Sequence, residues 1–181
     1  MKILLDPGHG GKDPGAMNQD SGIQEKDIAL SVVLKLAVLL RDAGHNALLT
    51  RDKDIYISPA DRLKMINNFK PDAFISVHCN SSANPEAHGI ETIYRDDYDF
   101  PLAQAVHKSL LANSEMKDRG VKNDINELGR RLAVLGNLEV PACLVEIGFI
   151  SNEGDLEKID DEDEQQVIAA AIVSGIEEFA G

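Results

Sequence analysis

Short apolar runs of strand length alternate along this chain with stretches whose apolar residues recur every three to four positions, and nothing else in the sequence limits the fold as strongly. Lys2–Leu5 reads as a strand, ended by Asp6-Pro7-Gly8. Glu25–Ala43 has helical period, with Ile28, Val32, Leu36 and Leu39 on one face and Gly44 just past its end. Ala47–Thr50 is a short strand. Ser58 and Pro59 supply an N-cap and a first helical residue for a helix that ends before Pro71. Ala73–Val77, Ile90–Tyr94, Leu132–Leu135 and Ala142–Ile147 read as further strands. Asp99 is expected to cap a helix reaching about Asn113, and a final helix runs from Glu162 to Phe179. Strands alternating with helices imply βαβ units, so the expectation is an α/β three-layer sandwich: a mostly parallel sheet with helices on both faces.

Composition narrows what such a fold could serve. The chain has 181 residues, which suits a single domain over 1–181, and 43% of them are hydrophobic, enough for a real core. A formal net charge of −13 leaves no basic face for nucleic acid or for an anionic membrane surface. No run approaches the roughly 18 to 20 apolar residues that would insert into a bilayer. Two cysteines, Cys79 and Cys143, are too few for a disulfide scaffold or a cysteine-based zinc site. Met1–Leu5 is too short for the core of a signal peptide, so the chain is expected to be cytoplasmic until released, or to be a domain excised from an exported protein.

In open α/β sheets, sites gather beyond the carboxyl ends of the strands, where loops converge. The first strand delivers His9 in a Gly-rich loop, Ala73–Val77 delivers His78, and Ala142–Val145 delivers Glu146. The first helix opens at the same edge with Glu25. Two histidines and a carboxylate suit catalytic zinc, which takes three protein ligands and leaves a fourth position for water. His9, Glu25 and His78 would be the ligands. Glu146, outside the coordination shell, would take the proton of water and return it to a leaving amine. Each residue also has an ordinary reading: a loop histidine, a core histidine, a first-turn carboxylate, a buried acid. Placement alone leaves both readings open. A phosphate loop is disfavoured, because Gly-Lys-Ser/Thr and Gly-x-Gly-x-x-Gly are both missing.

The residues themselves are more specific than their placement. Asp6-Pro7-Gly8-His9-Gly10-Gly11, Asp13-Pro14-Gly15-Ala16, Glu25-Lys26-Asp27-Ile28 and Thr50-Arg51-Asp52 resemble the type 3 zinc-dependent N-acetylmuramoyl-L-alanine amidases. So do Phe74–Ser81, Gly89-Ile90-Glu91-Thr92 and Pro141–Asn152. The resemblance spans nearly the whole chain in order. It implies a six-stranded α/β sandwich and cleavage of the amide between the lactyl group of N-acetylmuramic acid and L-alanine in peptidoglycan. It also implies Zn2+ held by His9, Glu25 and His78, with Glu146 as catalytic acid/base. A start at the first strand looks more like a phage or prophage endolysin than a secreted autolysin, and wall-binding domains would lie outside this chain. A zinc peptidase acting within the stem peptide and a non-catalytic wall-binding module are the rival readings.

Other polar residues carry plainer expectations. His45 reads as a solvated turn residue, and His107 and Arg62 as helix-surface residues. Arg51 is expected to pair with Asp52 or Asp54, and Asp155–Glu164 to be a solvated acidic face. Cys79 and Cys143 should be buried free thiols turned away from the metal.

Overall fold

The computed structural model describes residues 1–136 and 138–181. Six strands form one sheet in the order β2-β1-β3-β6-β4-β5, where β1 is Lys2–Pro7, β2 Asn46–Leu49, β3 Ala73–Asn80, β4 Ile90–Tyr94, β5 Asp118–Asn123 and β6 Ala142–Phe149. All neighbours are parallel except β4 and β6, so β4 and β5 run against the other four strands. The sandwich is therefore the expected one, with a reversal of direction two strands from one edge.

One face of the sheet carries the larger core. Ile3, Leu5, Ile75, Val77, Cys143, Val145 and Ile147 alternate along the strands and meet helices α1 (Glu25–Asp42), α3 (Phe100–Ala112) and α5 (Glu162–Ala180). The other face presents Leu4, Phe74, Ile93, Ala142 and Leu144 to Ile66 of helix α2 (Pro59–Phe69) and to Leu135 and Leu138. Central strands buried on both faces explain the near-continuous apolar runs in the sequence. Ser58 caps α2 as expected, accepting from the Asp61 amide.

Several local expectations are corrected. Leu132–Leu135 is not a strand; Ala133–Leu135 is one 3-10 turn that lies over the second face. The sixth strand is instead β5, and an unforeseen helix, α4 (Glu153–Asp160), follows β6. Asp99 takes the N-cap position of α3 as expected, but its side chain makes no cap bond; its carboxylate accepts the amides of Asp96 and Ala142, tying α3 to the start of β6. His107 is buried, because α3 lies flat on β4: its ring meets Thr92 at 3.1 Å and Asp118 at 3.0 Å. His45 is not a free turn residue, since its Nδ1 lies 3.2 Å from the chain's amino terminus. Within the acidic run Asp155 is buried and accepts the amides of Gly89 and Phe149, and Ile159 is buried in the core, whereas the acids Glu157 and Asp160 to Glu164 are exposed. Both cysteines are free and buried in the larger core.

Candidate metal centre

The chain leaves β1 at Pro7 and turns sharply into a loop where His9 adopts φ 59, a left-handed conformation uncommon outside glycine. Two buried arginines hold this loop by its carbonyls. Arg51 donates to the oxygens of Pro7, Gly8 and Lys26, and Arg62 to those of Pro7, Ile57 and His9. Arg62 also forms an ion pair with Asp6, whose other donors are Thr50 Oγ1 at 2.5 Å and Ser76 Oγ at 2.7 Å. Arg62 is 4% and Arg51 2% exposed, so neither is the surface residue or local carboxylate partner that the sequence suggested. Loop carbonyls contributed by distant segments supply their partners, and no local pattern announces that.

This loop brings His9 against the first turn of α1. Glu25 Oε1 lies 3.1 Å from His9 Nε2 and 2.8 Å from His78 Nδ1. The three ligand atoms lie within 4.8 Å of one another, and the two imidazoles meet edge to face. Backbone amides fix the carboxylate: Cys79 donates to Oε1 at 3.1 Å and Ala16 to Oε2 at 2.8 Å. The second nitrogen of His9, Nδ1, lies 3.0 Å from Asp13. A carboxylate on the far ring nitrogen is the arrangement that orients metal-binding imidazoles. Burial lowers the pKa of His9, but hydrogen bonds and charge from Glu25 and Asp13 outweigh it and carry it up to about 9. Glu25 is subject to the opposite balance: burial raises its pKa, and the two histidines bring it well below the ordinary range.

Glu146 stands beside this cluster, paired in register with His78 across β3 and β6. It is 9% exposed, and its Oε2 is the single buried side-chain polar atom without a partner among the described residues. Burial pushes its pKa up to about 7; His78 pulls it down, while Glu25 and Glu91 add to the rise. Cys79, next along β3, packs into the opposite core as strand alternation requires. The four residues singled out in the sequence thus meet at one sheet edge. Sequence reasoning did not select Asp13, Asp6, Arg51, Arg62 or Glu91. Glu91 carried the same signal as Glu146, an acid inside an apolar strand.

Comparisons with known proteins agree with this geometry. The family described as N-acetylmuramoyl-L-alanine amidase matches residues 3–178. The probable cell wall amidase LytH of Staphylococcus epidermidis is 34% identical over 178 residues, covering 98% of this chain and 57% of LytH. The sporulation-specific N-acetylmuramoyl-L-alanine amidase of Bacillus subtilis is 33% identical over 183 residues, covering 98% of this chain and 68% of that protein. Among solved structures, the N-acetylmuramoyl-L-alanine amidase AmiC2 of Nostoc punctiforme superposes with a TM-score of 0.92 at 33% identity, covering 99% of this chain and 97% of that one. With that family match over nearly its full length, the chain belongs to the N-acetylmuramoyl-L-alanine amidase family of hydrolases.

Proposed function

We propose that this chain is a single catalytic domain that hydrolyses the amide between N-acetylmuramic acid and L-alanine in peptidoglycan. In this reading zinc is held by His9, Glu25 and His78, and Glu146 moves the proton. The observation that carries the reading is the convergence of three ligand atoms within 4.8 Å beside a buried carboxylate oxygen that has no partner. The donor set fits zinc, since two imidazoles and one carboxylate leave a coordination position open. Zinc bound there would polarise the scissile carbonyl and bring the pKa of water towards ~7.

The chain's own residues do the rest. Asp13 holds His9 in one ring orientation, and the amides of Cys79 and Ala16 hold Glu25. Glu146 takes a proton from the attacking water at Oε2 and passes it to the nitrogen of the leaving L-alanine. Burial raises the Glu146 pKa in the metal-free protein, and a carboxyl raised in this way is better able to hold and return a proton. The chain has no helix long and apolar enough to cross a membrane among the described residues, and the substrate in this reading is the cell wall.

Protein purified without chelator is expected to contain one zinc per chain. It should release L-alanine amino groups from purified peptidoglycan, seen by mass spectrometry, without cutting glycan strands. Chelation should stop release and added zinc restore it. Full activity with well under one metal per chain would overturn the metal assignment. New amino groups inside the stem peptide would favour the zinc peptidase.

The ligand geometry makes a further prediction at Gly8. A methyl group there would meet the His78 ring, at 2.6 Å from Nδ1 and 2.7 Å from Nε2, so the ring must move. Gly8→Ala is expected to keep the fold and weaken zinc binding by roughly 10–100-fold, the range seen when the groups supporting a ligand are disturbed. Competition with a chromogenic chelator measures this, and unchanged affinity would show that the His78 ring can shift aside and still bind the metal.

A further inference from the structure

The row of polar side chains on the site's face does not stop at Glu146. Across the reversal in the sheet, Glu91 of β4 pairs with Glu146 in register. Glu91 is buried, and its Oε1 accepts from Asn80 at 2.9 Å. Its Oε2 accepts from two cations of β5, Arg119 Nε at 2.8 Å and Lys122 Nζ at 2.7 Å.

A bulge makes this double pairing possible. Ile90 pairs with Asp118 and Thr92 with Val121, so β5 spends two residues, Arg119 and Gly120, opposite Glu91 alone. Gly120 takes φ +87, a conformation that side chains rarely adopt. Bulges re-aim side chains, and here Arg119 comes to the same face as Lys122, its guanidinium 4.7 Å over the ring of Phe149.

Two cations on one carboxylate leave a positive charge in surplus. Their side chains are 27% and 22% exposed. Among the described residues the only other bond from either head group is a 3.5 Å contact from Arg119 to the His88 carbonyl, so several N–H donors remain unused. Arg130, exposed nearby, adds a charge whose field reaches Glu146. In a chain of net charge −13 this cationic strip is local. Neutralising Glu91 requires one cation, and the second needs another explanation.

Strands in a sheet lie ≈4.8 Å apart, which places β5 about 10 Å from Glu146 along the row. An extended peptide rises about 3.3–3.6 Å per residue, so the leaving peptide reaches β5 with its second or third residue. We propose that Arg119 and Lys122 form a carboxylate-binding subsite for the leaving peptide, reading an acidic group two to three residues beyond the scissile amide. This rests on the amidase reading of Glu146, and it gives the substrate a direction: glycan on the His9 side, peptide towards β5.

The test uses the zinc-loaded full chain and paired muropeptides carrying either carboxylates or carboxamides at the second and third residues. The wild type is expected to show a KM about 10-fold lower for the acid form, with kcat within about 2-fold, the scale of one charge-assisted hydrogen bond. Lys122→Gln should abolish that preference by raising KM for the acid form, because Arg119 still neutralises Glu91 while the second cation is lost. Arg119→Lys, which keeps the charge and loses the planar fork, should retain part of it. Calorimetry with the free acidic peptide, which has no scissile bond, should show the same ranking. Equal cleavage of acid and amide forms by the wild type would overturn the subsite alone. So would a fall in kcat on both forms in Lys122→Gln, which would make the residue a structural partner of Glu91. No cleavage of any muropeptide would overturn the amidase reading, and the subsite with it.

Discussion

Glu146→Gln is expected to keep its zinc and lose ~10²–10⁴-fold in turnover, the usual contribution of a positioned acid/base. Gln has nearly the same shape, so the packing of β6 survives, but it cannot accept the proton of water. The same substitution should raise stability in metal-free protein. Burial lifts the Glu146 pKa to about 7 from an ordinary 4.5. A raised carboxyl pKa favours the folded state fully below about 4.5, and the benefit is lost as pH rises through about 7. Gln carries no charge to desolvate, so the variant should melt above the wild type at pH 8, with the gap closing towards pH 5. Glu25→Gln should behave oppositely, losing metal and activity together. Metal content and amide cleavage after matched purification separate the two roles. A Glu146→Gln that loses zinc while Glu25→Gln keeps it would reverse the assignments, and a fully active Glu146→Gln would make Glu146 a structural acid.

Arg62→Ala is expected to be the most damaging substitution for the fold near the site. It strips Asp6, 1% exposed, of its cation and leaves it with two hydroxyl donors. Removing one member of a buried pair typically costs ~3–5 kcal/mol, because the remaining charge stays buried. At roughly 2–4 °C per kcal/mol for a domain of this size, melting should fall by roughly 6–20 °C. The carbonyls of Pro7 and His9 lose donors at the same time, so the left-handed turn at His9 loses support and zinc should bind less tightly. Denaturant unfolding with and without zinc measures both effects. A loss under about 1 kcal/mol would mean that Thr50 and Ser76 satisfy Asp6 unaided.

The sequence disclosed what depends on local period and on strand ends. The central strands β1, β3 and β6 are buried on both faces and read as near-continuous apolar runs, and α1 and α5 show their inward stripes. Edge strand β5, Asp118-Arg119-Gly120-Val121-Lys122-Asn123, is polar, half-buried and bulged at its glycine, so no alternation marks it. Leu132–Leu135 is apolar because it covers a core, a demand that a 3-10 turn meets as well as a strand. His9 was legible because it follows a strand, Glu25 because it opens a helix, and His78 and Glu146, which lie within the carboxyl halves of β3 and β6, because they stood out as ionisable residues in apolar runs. Glu91 was not, since β4 runs the other way and brings its first residues to the site's edge. Arg51, Arg62 and His107 look like solvated residues in sequence, and only contacts from distant segments bury them.

The reversal between β6 and β4 also divides the labour of change. The residues proposed to bind metal and move protons hang from β1, α1, β3 and β6, whereas Glu91, Arg119 and Lys122 hang from β4 and β5. The connections entering those two strands, 81–89 and 113–117, can lengthen or shorten without altering the spacing of His9, Glu25 and His78. Loops tolerate such insertions far better than the elements they join. If the proposed subsite holds, selectivity for the peptide can drift, or be engineered by grafting, on one wing of the sheet while the residues proposed for hydrolysis stay in place on the other.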